Sequence, residues 1–295
     1  MLMNNTWEKY KYVNEMLKRD FLCIPPYQRV NGKFIDECMS FTDDVKQLYS
    51  KISETVINPS QRAYQMEYKF KKANIFSQYI PVIEYSVYDA LQGNWICAYL
   101  SLLPVVEALL RKWAAEYPSL SFNKMKGFGK ILSKYLQNNL QVFDDDRITL
   151  VNEHIDFLRH MITEVLYVDF DAYEDAQFTD IFNRNLALHK LEGVIDIRTG
   201  LHNVTRTLLI IDIIAELYIM QNPQVWWQNI FYATPETDVD YQLRWQLYIK
   251  CAMLSIGPND LRIIENAFLN RASDEIKKAA TDKLKSEIAL LRKGK

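Results

Sequence analysis

The sequence predicts an all-α protein. Glycine and proline are scarce, at 8 and 9 in 295 residues, which leaves few of the turns that an all-β chain needs. Apolar residues recur at helical spacing over long stretches. Hydrophobic residues make up 49% and charged residues 24%, a globular balance that argues against extensive disorder. The length suffices for one large domain or two small ones.

The expected organisation is a helical bundle over 75–225, with an N-terminal helical extension (1–74) and a C-terminal helical extension (226–295). The first helix is expected over 7–19. A short extended piece, Phe21-Leu22-Cys23-Ile24, is stopped by Pro25-Pro26, because proline disfavours helix in the residue before it. A helix over 42–57 places Phe41, Val45, Leu48, Ile52 and Val56 on one face. Asn58-Pro59-Ser60 ends it, and another helix starts near Gln61.

The pattern strengthens from Ile80 onward. Over 94–115, Tyr99, Leu102, Leu103, Val106, Leu110 and Trp113 line one face of an amphipathic helix, with Pro104 marking a kink or a start. Glu107 falls between Leu103 and Leu110, close to the buried seam. A carboxylate there needs a partner, since an unpaired buried charge costs several kcal/mol. Next comes the lysine-rich segment Lys124, Lys126, Lys130, Lys134, running into a helix over 131–140.

A helix over 147–167 turns Ile148, Val151, Ile155, Leu158, Ile162 and Val165 inward. An acidic loop (Asp169, Asp171, Glu174, Asp175) leads to a helix over 179–190. Gly193 breaks it from an apolar helix over 199–220, which Pro223 ends. The C-terminal part holds two or three more helices, the last over 274–292.

Charge and cysteine usage narrow the function classes. The formal net charge is −2, so nucleic-acid contact must come from a local patch. Cys23, Cys38, Cys97 and Cys251 are scattered without a Cys-x-x-Cys pair, which points to reduced thiols and neither a zinc site nor a disulfide framework. The N-terminus lacks the apolar core of a signal peptide. The apolar run 207–220 is too short and too charged, with Asp212 and Glu216, to span a bilayer. The expected protein is soluble and cytoplasmic.

The stretch 181–189 carries the chemistry. It contains Arg184-Asn185, then three residues, then His189. Arginine supplies a cationic fork for phosphate oxygens, and histidine carries a proton near neutral pH. Arg, then four to six residues, then His arises by chance roughly 0.5 times in such a chain, and Arg147 to His154 is a second match; requiring Asn after Arg and three residues between that Asn and His lowers the expectation to about 0.01. Asn185 lies four residues before His189, on the same helical face. Arg184 and His189, five apart, diverge by about 140° around an ideal helix.

The run Phe182-Asn183-Arg184-Asn185-Leu186-Ala187-Leu188-His189, the apolar Leu208-Leu209-Ile210-Ile211 and the earlier Tyr99-Leu100-Ser101-Leu102-Leu103-Pro104-Val105-Val106-Glu107 resemble the HEPN superfamily. The resemblance covers about residues 75–225. It implies a small α-helical bundle and, in many members, a metal-independent ribonuclease without cofactor that carries an Arg-to-His motif of this spacing. It further implies a homodimer whose two motif copies form one cleft. Toxin–antitoxin and phage-defence systems use such domains, so an antitoxin or other regulatory protein is an implied partner. Many relatives place glycine directly after the histidine; this chain has Lys190 there, which leaves the geometry of the turn in question.

The residues admit other readings. Arg184 paired with Glu107 serves either as a structural ion pair or as an anchored catalytic group. His189 alone can be a core or capping histidine. Lys124, Lys126, Lys130 and Lys134 form either an RNA-backbone track or a solvated face. The acidic loop lacks the spacing of a calcium loop. His154 and His160, six apart, make a poor ligand pair, and His202, Arg206, Asp212 and Glu216 read as the polar stripe of a largely buried helix. A non-catalytic helical module that binds RNA, nucleotide or a partner protein is the competing function.

Overall fold

The computed structural model describes residues 2–120, 122, 124–139, 145–167, 182–189, 197–221, 238–253 and 282, with the backbone alone for 2–5, 118, 126, 139, 145–149, 185, 186, 189 and 197–199. All regular structure among the described residues is helical. The acidic loop 169–175 lies outside them, as do Lys190, Gly193, Pro223 and, apart from Asp282, the last expected helix.

Helix α1 (Leu2–Lys18) buries Tyr10, Val13 and Leu17. It ends in a turn at Phe21, whose φ is 59°. The extended piece that follows is pinned by buried Asn14, whose Oδ1 accepts the Ile24 N–H at 2.8 Å. Helix α2 (Gly32–Met39) has no counterpart among the expected helices. It is eight residues long and starts where Asn31 Oδ1 accepts the Phe34 N–H at 3.2 Å.

Helix α3 (Val45–Val56) starts three residues later than expected. Asp44 caps it, accepting from the amides of Lys46 and Gln47 at 3.1 and 3.3 Å. Val45 therefore sits in the first turn, 41% exposed, while Leu48, Ile52 and Val56 are buried as expected. Helix α4 (Pro59–Tyr64) has Asn58 as its cap and proline at its first position, where the missing N–H costs nothing. It widens into a π turn at Gln65–Lys69 and tightens into 3-10 turns at Phe70–Lys72 and Asn74–Phe76. The boundary expected near residue 75 falls inside the last of these turns.

Helices α5 (Ile80–Leu91) and α6 (Trp95–Glu116) form an antiparallel hairpin through Gly93, whose φ of 83° suits a residue without Cβ. Every inward residue expected on α6 is buried, and Pro104 lies inside the helix with its side exposed to solvent. Helix α7 (Met125–Asn139) starts earlier than expected, so Lys126, Lys130 and Lys134 belong to it. Helix α8 (Asp145–His160) ends in a π turn, Met161–Leu166. A Cβ on Gly129 of α7 would lie 2.8 Å from Thr163 Cγ2 in that turn. The glycine thus sets how closely α7 approaches.

After the short α9 (Arg184–His189) comes α10 (Ile197–Gln221). From Asn203 to Gln221 all residues of α10 but Glu216 are buried. It is the central rod of the molecule. It runs parallel to α6: a Cβ on Gly200 would lie 2.9 Å from Trp95 Cβ at the start of both helices. At their ends, Trp113 Nε1 donates to Gln221 Oε1 at 3.0 Å. Helix α11 (Val239–Met253) packs against α4 and α5. There Arg244 joins Glu67 and Glu84, and Tyr68 donates to Asp238 at 2.9 Å.

The elements on both sides of residue 75 share one hydrophobic core. Three polar bridges also cross it from α10. Asp212 pairs with Arg62, both side chains at most 1% exposed. Glu216 pairs with Arg29 at 3.1 Å and Lys69 at 2.9 Å. Arg206 Nε donates to the Asp20 carbonyl at 2.9 Å. Among the described residues no helix is long and apolar enough to cross a membrane.

Candidate functional site

The motif is placed by what precedes it. Phe182 and Asn183 are not helical, unlike the expected helix over 179–190, and both are fully buried. Phe182 packs on Tyr99 of α6 with ring centres 5.9 Å apart, and the Arg206 guanidinium lies 5.6 Å from its ring centre. Asn183 Nδ2 donates to the Val165 carbonyl at 3.0 Å. That oxygen belongs to the last turn of the π segment, where carbonyls lack helical partners. The Asn183 carbonyl in turn accepts the Ala187 N–H at 3.0 Å, the first bond of α9. Two buried residues thus fix the helix start, and Arg184 emerges as its first residue.

Arg184 Nε lies 2.9 Å from Glu107 Oε2, the pairing that the sequence suggested for these two. The Arg184 side chain is 29% exposed and that of Glu107 17%. The guanidinium is therefore paired by charge with a carboxylate, without an aligned hydrogen bond at Nε, yet the side chain is still reachable from outside. The second carboxylate oxygen of Glu107 takes Arg111, one helical turn along α6, with Nη2 at 2.7 Å. Tyr167 lies in the same field. Burial pushes its phenol up and the Glu107 charge adds to this, while Arg184 and Arg111 oppose it.

Asn185 and His189 lie on α9 with Arg184; their side chains are outside the described set. The helix spans six residues, so at ideal helical spacing Arg184 and His189 stand about 140° apart around it. On α7, Lys130 and Lys134 are exposed, as is Lys124 just before the helix. Lys126, Lys130 and Lys134 recur at every fourth position, so their backbone positions fall on one side of it; the Lys126 side chain is not described. Phe128, between the two glycines of that segment, is fully buried.

The second Arg-to-His match has a different environment. His154 is fully buried, with Nε2 at 2.9 Å from the Ile24 carbonyl. Burial, aided by the Arg29 guanidinium, lowers its pKa to about 4. It closes the core beneath the N-terminal segment. The neighbouring Glu216 would be raised by burial, but the Lys69 ammonium and the Arg29 guanidinium overcome this and hold it at about 2. For Asp212 burial wins over Arg62, and the carboxyl sits above its ordinary value.

Sequence reasoning missed Arg111, Tyr167, and the Arg62, Arg29 and Lys69 partners of α10. Spacing gave a signal only for Arg111, which stands four residues after Glu107. An open polar groove of about 410 Å³ lies elsewhere, between α2, α3 and the start of α4, with Lys33, Lys51, Glu37 and Glu54 on its walls. No motif residue lines it. Among the described residues no group of three His, Cys, Asp or Glu side chains converges as a metal site requires. The four cysteines are free, Cys97 alone being exposed.

Comparison with protein-family models, with curated proteins and with solved structures finds no match.

Proposed function

We propose that the chain is a HEPN-like endoribonuclease that cleaves RNA without a metal ion, with Arg184, Asn185 and His189 at its site. One observation supports this above the others. Arg184 opens a helix whose start is fixed by buried residues, is charge-paired with Glu107 at 2.9 Å, and remains 29% exposed. A guanidinium so held loses little freedom when it takes a phosphate.

RNA brings its own nucleophile. The 2′-oxygen attacks phosphorus, the bond to the 5′-oxygen breaks, and a 2′,3′-cyclic phosphate remains. One proton leaves the 2′-hydroxyl and one reaches the departing 5′-oxygen. His189 has the chemistry for either transfer, and Arg184 stabilises the charge that gathers on the phosphoryl oxygens. Asn185 orients the imidazole or the phosphate. Arg184 and His189 diverge around α9, so the reading includes a homodimer in which the arginine of one protomer faces the histidine of the other. It extends to a role in bacterial toxicity or antiviral defence under the restraint of a regulatory or antitoxin protein.

The competing reading is a module of the same shape that binds RNA, nucleotide or protein without cutting. The ion pair is equally compatible with it, since a structural arginine makes the same contact with Glu107.

Purified protein incubated with total RNA and tRNA in EDTA separates the two. The nuclease reading expects discrete fragments with 2′,3′-cyclic phosphate ends. His189→Ala should slow cleavage by about 10²–10⁴-fold, with Arg184→Ala comparably impaired and both variants folded by circular dichroism. RNA left whole by folded wild type favours the binding module. Fragments that survive both substitutions would falsify the site.

A further inference from the structure

Arg111 is the member of the Glu107 cluster that the motif does not account for. Its Nε and Nη2 lie 2.8 and 2.7 Å from Glu107 Oε1, so one carboxylate serves two guanidiniums and a positive charge is left over. Its side chain is 56% exposed against 29% for Arg184. An ion pair so exposed adds little to stability; the fold has small need of it.

On its other side the Arg111 guanidinium carbon sits 5.6 Å from the centre of the Phe122 ring. Phe122 packs against Phe128, ring centres 4.5 Å apart, and Phe128 is fully buried in α7. The platform is therefore anchored in the core. Two residues beyond Phe122 stands exposed Lys124, the first of the lysine segment. A continuous line of contacts runs from Arg184 through Glu107 and Arg111 to Phe122, joining two features that are 50 or more residues apart in sequence.

We infer that Arg111 is a nucleotide-binding residue whose guanidinium plane, oriented by Glu107 and backed by Phe122, stacks on an unpaired base of single-stranded RNA. The base flanks the phosphate taken by Arg184, and the strand continues towards Lys124. The inference rests on the ribonuclease reading of the Arg184 site and names its substrate class. Unstacked bases of a single strand lie on guanidinium planes as they do on aromatic rings, whereas bases inside a duplex have both faces covered by their stacked neighbours. A cation over an aromatic ring is itself held by the ring's negative face. Lysine would supply the charge without the plane.

The test is fluorescence anisotropy with a short labelled single-stranded RNA in EDTA, using His189→Ala protein so that nothing is cut. Arg111→Ala and Arg111→Lys are added to that background, and an abasic ribose-phosphate chain is the control ligand. Thermal melts should match throughout. Both substitutions should weaken RNA binding about tenfold, the size of one lost stack, and leave binding of the abasic chain nearly unchanged for Arg111→Lys.

Unaltered RNA affinity in Arg111→Lys overturns the stack, as does an equal loss on the abasic chain. Protein that binds no RNA overturns it too. Cleavage by the chain with His189 intact is read alongside. Whole RNA with Arg111-dependent binding sinks the nuclease reading and leaves this one; cut RNA with binding indifferent to Arg111 does the reverse.

Discussion

His154 shows how a single residue couples the core to acidity. Unfolded, its imidazole takes up a proton around pH 6.5; folded, burial and Arg29 delay this to about 4. Between those values the unfolded chain binds more protons, so the folded state loses ground as pH falls. Glu216 acts in the same sense lower down, its stabilising charge being lost as pH falls from 4.5 towards 2. The raised carboxyl of Asp212 works the opposite way, so the histidine is best isolated by difference. Urea midpoints of the wild type should drop from pH 6.5 to 4 more steeply than those of His154→Gln, which can still donate to the Ile24 carbonyl. Parallel profiles would mean that another group governs the limb. Of this site the sequence displayed only an Arg-to-His spacing. Nothing in the residues around position 154 reveals that the ring faces a carbonyl 130 positions away.

At the scale of elements, legibility followed length and periodicity. Helices α6, α8 and α10 repeat apolar residues over many turns, and the expected inward residues whose side chains are described are buried, Ile148 of α8 lying outside that set. Helix α2 escaped notice because eight residues give barely two turns of pattern, and its signal is the single cap at Asn31. The two π turns are a matter of tertiary packing, and no local spacing marks them. The site was legible in the same uneven way. Glu107 announced itself as a carboxylate on an apolar seam, while Arg111, on the exposed side, offered only its four-residue spacing from Glu107. Helix α7 offers a direct comparison. Gly129→Ala would force a methyl group against Thr163 and Ile162 and should cost about 1–3 kcal/mol as overpacking. Gly127→Ala meets nothing within 4 Å and should add roughly 0.5 kcal/mol by favouring helix. Urea unfolding of the two variants, with shifts of opposite sign, checks the packing of α7 on the π turn.

The whole molecule is held by its middle helix. Asp212 depends on Arg62, Glu216 on Arg29 and Lys69, and Arg206 on the Asp20 carbonyl. All of these partners lie before residue 75. Removing one member of a buried ion pair costs about 3–5 kcal/mol, comparable to a large part of a domain's stability. A chain that begins at residue 75 should therefore show no cooperative urea transition and no near-ultraviolet dichroism. A sharp unfolding curve from that shortened chain would show that α10 tolerates its carboxylates unpaired. Hydrophobic patterning marked residues 1–74 as a helical extension without showing which charges tie it to α10, because it sees only local amphipathicity. Long-range charge pairing leaves no periodic trace.

The same pairs set an order of events during synthesis. Arg62 is made 150 residues before Asp212, and Arg29 187 residues before Glu216. At a ribosome's pace of about 5–20 residues per second, the cations wait from about eight to about forty seconds for their carboxylates. Throughout that interval the apolar faces of α1 to α4 have no central rod to cover them. Until α10 has been made those faces stay uncovered on the nascent chain, and its arrival brings them their charged and apolar partners in one late step.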